Sequence, residues 1–227
     1  MKSVTLSNAN NASADPAIRA RSLELIADWF DARKVGDRGN QGFRKSTDLR
    51  DMIACLEELE ERGFVHPDRT VFLDLGCADG RVNVIASYFV RLSLGIEIDD
   101  EFLEEYEPAR AELAGRLKGE GIAAPPDNVR LFEGDSLEEG TYRRIREAAG
   151  VGFLDVDFFF TYITLHDLFG EMIAQRAAPG SFYMVYGFSK VLPRYDGMEM
   201  VLPDVGGRGI AALYRKTTGI SGSGSPL

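Results

Sequence analysis

Three acidic residues, Asp74, Glu97 and Asp135, each stand where an apolar run gives way to a turn, a placement suited to gripping a ligand at the edge of a core. An ionised carboxylate is acceptor-only with two oxygens, so it suits a ligand that offers paired donors, such as the two hydroxyls of a ribose. Asp74 opens the stretch Asp74-Leu75-Gly76-Cys77-Ala78-Asp79-Gly80-Arg81. Gly76 and Gly80 supply small volume and φ freedom there, and Ala78 is the next smallest option. A turn of this kind lets a backbone lie against a nucleoside. Taken alone, it also reads as an ordinary tight turn.

The elements around the turn decide between these readings. Val71-Phe72-Leu73 reads as a buried strand, and Val82, Val84, Ile85 and Ala86 suit a helix packed on a sheet, running from about Gly80 to Val90. The turn then lies at a strand-to-helix crossover, where open α/β sheets hold ligands outside the carboxyl ends of their strands. A second strand, Leu92 to Glu97, ends on an acid about 20 positions beyond Gly76, the separation at which dinucleotide folds place a ribose-binding carboxylate. A helix follows from Asp99 or Asp100 to about Lys118, with Pro108 as a point of kinking or splitting. Val129–Glu133 makes a third strand, whose end, Gly134-Asp135-Ser136, either reaches toward an adenine amine or caps the helix Leu137–Ala149. Asp157–Thr161 is a central strand with little alternation. Thr164-Leu165-His166-Asp167 has the form of a capping box opening a helix to about Ala177, and Ser181–Tyr186 is a fifth strand. Met198–Leu202 and Ile210–Tyr214 flank a Gly-rich hairpin signal.

Two helices precede this alternation. Asp15-Pro16 starts one that reaches about Arg33, and Thr47 caps a second with a stripe of Leu49, Met52, Ile53, Leu56 and Leu59, ended by Gly63. The expected organisation is an N-terminal helical extension over residues 1–66, a ligand-binding domain over 67–217 and a flexible tail over 218–227. The expected fold class is a three-layer α/β/α Rossmann-like sheet, mostly parallel, with an antiparallel C-terminal hairpin strand.

Composition narrows the partners. In 227 residues, 36 acidic against 26 basic side chains give a formal charge of -10, a field that disfavours a nucleic-acid backbone. Cys55 and Cys77 lack metal or redox spacing and read as reduced thiols, the two histidines form no metal cluster, and no run is long enough to span a membrane. The first fourteen residues have no apolar core of the kind a signal peptide carries. A cytoplasmic protein without a metal is the expectation.

The order of acidic glycine turn (Asp74 to Gly80), strand-ending acid (Gly95-Ile96-Glu97-Ile98-Asp99) and Gly134-Asp135 resembles the class I S-adenosylmethionine-dependent methyltransferases, over roughly Val71 to Lys216. The resemblance implies that Gly76, Ala78 and Gly80, with Cys77 between them, flank the methionine part of the cofactor. It assigns the ribose to Glu97 and the adenine to Ile98 and Asp135, with Ser136 beside them. Asp74 would face the ligand's amino group directly or through water. Thr161, Tyr162, Ile163 and Thr164 follow the fourth strand, where the family shapes its acceptor site, so Tyr162 either orients the acceptor or packs beneath the cofactor. Ala78 departs from the family's usual second glycine. A nicotinamide-binding reading from Gly76 fails at Arg81, which stands where the third glycine packs closely.

The implied reaction is methyl transfer from S-adenosylmethionine to a protein side chain or small molecule, leaving S-adenosylhomocysteine; the alternative is a catalytically silent cofactor-binding interaction module. The N-terminal helices, with residues 39–47, are expected to cover the crevice, and deleting residues 1–46 is expected to leave a folded core. Lys45-Ser46-Thr47 and Glu97 also resemble the leading segment of the histone-type lysine methyltransferases that lack a SET domain. His166 is expected to be structural.

Overall fold

The computed structural model describes residues 15–33, 47–188 and 192–218. In chain order the elements are α1 (Pro16–Asp31), α2 (Leu49–Glu61), β1 (Val71–Asp74), α3 (Arg81–Ala86), β2 (Leu92–Glu97), α4 (Asp100–Gly119), β3 (Val129–Glu133) and α5 (Glu139–Ala149). A short 3-10 turn (Phe153–Asp155) leads to β4 (Phe158–Tyr162), α6 (His166–Arg176), β5 (Phe182–Tyr186), β6 (Met198–Leu202) and β7 (Ala211–Lys216). The seven strands form one sheet in the order β3-β2-β1-β4-β5-β7-β6. β1 to β5 are parallel neighbours, while β7 runs antiparallel to β5 and β6. The chain reverses its direction of travel across the sheet between β1 and β4, which makes their carboxyl ends the switch-point crevice.

Side-chain alternation divides the core into two layers. Phe72, Phe158, Phe160, Met184 and Tyr186 face α1 to α4, whereas Val71, Leu73, Phe159, Tyr183 and Val185 face α5 and α6. The strands are apolar on both sides because helices cover both. The α/β/α architecture with an antiparallel C-terminal hairpin is therefore as expected.

Several local expectations need correction. The helix after the glycine turn stops at Ala86, because Tyr88 and Phe89 bond three residues back to Ile85 and Ala86 and tighten the chain into turns. Pro108 neither ends nor splits α4, which runs through it. Asp48, not Thr47, caps α2, its carboxylate accepting from Arg50 N at 2.9 Å and Asp51 N at 3.1 Å, and Gly63 with φ 74° closes the end as expected. The capping box at Thr164 does not form. Leu165 is the residue before α6, in the left-handed region at φ 57° and without a side-chain cap. Neither Asp135 nor Ser136 caps α5, whose N-cap is Glu138.

The larger correction concerns α1. Leu23, Ile26, Trp29 and Phe30 are no more than 4% exposed and share one core with the sheet. At about 1.5–3 kcal/mol each, their burial rivals the ~5–15 kcal/mol that holds a domain together. Deleting residues 1–46 would therefore strip the core, contrary to expectation. Residues 39–46, to which a covering role and the lysine-methyltransferase likeness were attached, lie outside the described residues, as do 219–227 of the tail.

The turn between β6 and β7 closes over α2. Gly206 N donates to Glu58 Oε2 at 2.6 Å, the Cys55 thiol donates to the Val205 carbonyl at 3.2 Å, and Val205 is fully buried. A Cβ on Gly206 would stand 2.9 Å from Cys55 Sγ, and the residue has φ 78°, so glycine is required by both space and conformation.

Candidate cofactor site

Three strand ends are tied together at the crevice. Glu97, last residue of β2, is 3% exposed. Its Oε2 accepts from Ala78 N at 2.9 Å and its Oε1 from Ile98 N and Asp99 N, each at 3.0 Å. Gly134 N bonds back to the Glu97 carbonyl at 2.8 Å, and the Ser136 hydroxyl donates to the Leu75 carbonyl at 3.2 Å. The glycine turn after β1, the acid after β2 and the Gly-Asp after β3 thus converge, as their spacing predicted.

Within the turn each residue has a separate task. Gly76 fronts open space, since a Cβ built there meets nothing within 4 Å. Cys77 continues the sheet, donating to the Ile96 carbonyl at 2.9 Å, and its side chain points inward. A Cβ on Gly95 would lie 2.8 Å from Cys77 Cβ and Sγ, so the glycine in β2 is the notch that receives this thiol. Burial pushes the Cys77 thiol well above its ordinary pKa, which removes it from nucleophilic chemistry and leaves its backbone as the part able to meet a ligand.

Ala78 has φ 46° and Gly80 φ 73°. The left-handed region is costly for alanine, and the Glu97 bond to Ala78 N is the contact that holds it there. The substitution of a usual glycine is thus accommodated by conformation as well as by size. Asp79 between them forms a buried two-point ion pair with Arg81, Nε to Oδ1 and Nη2 to Oδ2 both at 2.9 Å. Sequence reasoning missed this pair. Its signal was an arginine two residues after an acid, in a position otherwise made for glycine.

Asp74 is 2% exposed and accepts from Gly76 N at 3.3 Å. Burial pushes its carboxyl up to about 8, helped by the charge of Glu97 and opposed by the Gly76 bond. Asp135 accepts from Leu137 N at 2.8 Å, turning the chain toward α5, and is partly exposed. Ile98, directly after the Glu97 strand end, is 51% exposed, an apolar surface at the rim.

On the other side of the crevice, β4 and β5 end in tyrosines. Tyr162 and Tyr186 lie 5.7 Å apart between ring centroids, and Tyr162 covers Gly187, whose φ of 107° and 3.1 Å Cβ clearance to that ring exclude a side chain. Thr161 is buried with its hydroxyl donated to the Tyr162 carbonyl at 2.9 Å. His166 Nδ1 is 2.8 Å from the Tyr195 hydroxyl, and the Tyr183 hydroxyl donates to the His166 carbonyl at 2.9 Å. These contacts agree with a structural histidine. Among the described residues no group of histidine, cysteine and acidic side chains has the makings of a metal site, and no helix is long and apolar enough to cross a membrane.

The strand order and the antiparallel last hairpin make a Rossmann-like α/β/α fold, and solved structures, a methyltransferase among them, share it. A point mutant of MtNAS in complex with S-adenosylmethionine superposes at TM-score 0.51 with 13% identity, over 88% of this chain and 72% of that one. The tRNA methyltransferase TrmI from Aquifex aeolicus gives 0.51 and 12%, over 86% and 75%. An RNA methyltransferase from Salinibacter ruber in complex with S-adenosyl-L-homocysteine gives 0.45 and 19%, over 75% and 94%. No protein-family model and no curated protein matches the sequence.

Proposed function

We propose that this protein is an S-adenosylmethionine-dependent methyltransferase that passes a methyl group to a protein side chain or a small molecule. The observation that carries this reading is the buried Glu97 carboxylate drawn against the turn at Ala78, beside the open face of Gly76. Gly76, Cys77, Ala78 and Gly80 would line the methionine portion through backbone, and Asp74 would face its amino group. Glu97 would take a ribose hydroxyl, and Ile98, Asp135 and Ser136 would border the adenine. Thr161 would shape the floor beneath the reacting centre, and Tyr162 is the candidate catalytic residue. The chain's -10 charge favours an acceptor other than nucleic acid. Two free, buried cysteines suit a reducing cytoplasm.

The cofactor, when bound, supplies an activated methyl group on a sulfonium. The protein's part is to hold the acceptor in line with it and to exclude water, a positioning effect worth up to ~7–11 kcal/mol. Tyr162 stands at the acceptor side, where its hydroxyl or ring face orients the attacking atom. Burial raises its phenol above the ordinary value, so it acts as a hydrogen-bonding hydroxyl and not as a phenolate. The test is incubation of the purified protein with S-adenosylmethionine and cell extract. Formation of S-adenosylhomocysteine with a species heavier by one methyl group is expected. Cofactor binding without turnover would instead establish the silent-module alternative.

A further inference from the structure

The buried pair Asp79–Arg81 reaches beyond the turn it belongs to. Arg81 is 5% exposed, and its Nη2, besides gripping Asp79, donates to the carbonyl of Arg33 at 3.3 Å, just past the end of α1. Its guanidinium also lies 5.4 Å over the ring of Phe30. Phe30 meets Trp29 edge-on at 4.8 Å between centroids, and Trp29 Nε1 lies 3.4 Å from Glu112 of α4. An unbroken set of contacts therefore runs from the crevice turn, through Arg81, to the chain's one tryptophan. A buried ion pair is a poor source of net stability but a stringent fixer of geometry. Here it fixes a segment whose two flanking residues, Ala78 and Gly80, both have positive φ. Glu97 holds the turn from the β2 side, and Arg81 holds it from the α1 side.

We propose that Arg81 is a positioning residue that ties the cofactor turn to the C-terminal end of α1, so that occupancy of the turn and the packing of Phe30 and Trp29 at that end are linked. This rests on the reading of the turn as an S-adenosylmethionine site. By reciprocity, whatever α1 does to cofactor affinity, the cofactor does to α1.

Lysine keeps the charge of arginine but lacks the planar fork that can serve Asp79 and the Arg33 carbonyl together. The experiment measures S-adenosylhomocysteine affinity by calorimetry for the wild type and Arg81→Lys, at a temperature where circular dichroism shows both folded, and follows Trp29 emission in the same titrations. Loss of a charge-assisted hydrogen bond predicts affinity weaker by about tenfold or more. Saturating ligand should shift Trp29 emission in the wild type and not in the variant. Phe30→Leu, which leaves the turn's own residues untouched, should weaken binding about threefold to tenfold by the same route and serves if Arg81→Lys does not fold. A purely structural role would lower the melting temperature and leave affinity within twofold, and that result overturns the proposal, as does an unmoved Trp29 emission in the saturated wild type. A wild type that binds neither S-adenosylhomocysteine nor S-adenosylmethionine would overturn the cofactor reading itself, and this proposal with it.

Discussion

The two halves of the crevice are built on opposite plans. At the tips of β1, β2 and β3, side chains serve the backbone. Glu97 accepts three N–H groups, Asp74 and Asp135 each accept one, and Ser136 stitches β3 to β1. At the tips of β4 and β5 the work is done by rings, with Tyr162 over Gly187 and against Tyr186, and the Phe188, His166 and Tyr195 cluster behind them. A hydrogen-bonded turn fixes atoms to fractions of an ångström, whereas packed rings define a shape that different occupants can share. Under the proposed function, the braced half would hold the invariant cofactor and the ring-built half would take the acceptor.

Glu97→Ala is the most severe way to break the braced half. It strands three backbone donors, each worth about 1–3 kcal/mol when buried without a partner. Chemical denaturation should show a loss of about 3 kcal/mol or more, and calorimetry at least a tenfold loss of cofactor affinity. Unchanged affinity would remove Glu97 from the site.

A second effect on the same half, read through pH, comes from Asp74. In the fold its carboxyl keeps its proton to about pH 8, and in the unfolded chain it loses it near the ordinary 3.8. Between these values the folded state binds more protons, so stability should fall as pH rises from about 4 to about 8, by at most ~1.4 kcal/mol per pH unit, and level off above. A cationic ligand at the turn favours the ionised form, so S-adenosylmethionine should release up to one proton on binding at pH 7. Calorimetry in buffers of different ionisation enthalpy counts it, and persistence of the release in Asp74→Asn would assign it elsewhere.

Tyr162→Phe tests the ring-built half. Transfer should slow by about tenfold, the loss of one hydrogen bond of ~1.4 kcal/mol, with cofactor affinity unchanged. Equal losses in both would erase the distinction between the halves. The smallest effect is expected from Ala78→Gly. Relief of the left-handed alanine, about 1–2 kcal/mol, is offset by the entropy of glycine, about 0.5–1 kcal/mol. A melting temperature raised by a degree or two is the expected reading, and a clear decrease would show that the Ala78 methyl packs favourably.

The braced half was the more legible in the sequence, and the reason is local. Glycines, strand-ending acids and apolar runs report on neighbours a few residues away, so strand order in the chain and the three converging tips followed from spacing. What escaped was set at long range. Arg81 finds its partner carbonyl 48 residues back, just past the end of α1. The burial of α1 in the main core is set by its packing against α2, α3 and α4, partners that lie far along the chain. Leu165 takes a positive φ at the start of α6, where Thr164 gave a capping signal, because the link from Ile163 onward is set by its bond to the Tyr186 carbonyl at 2.7 Å.

The closure of the β6–β7 turn over α2 bears on how the chain matures during synthesis. α2 emerges from the ribosome well before the hairpin, and the peptide groups that satisfy Glu58 and Cys55 are supplied by residues made about 150 positions later. At ~5–20 residues per second, that face of the nascent helix waits about 7 to 30 seconds for its cover. A chain truncated before the last hairpin would present that uncovered face to chaperones.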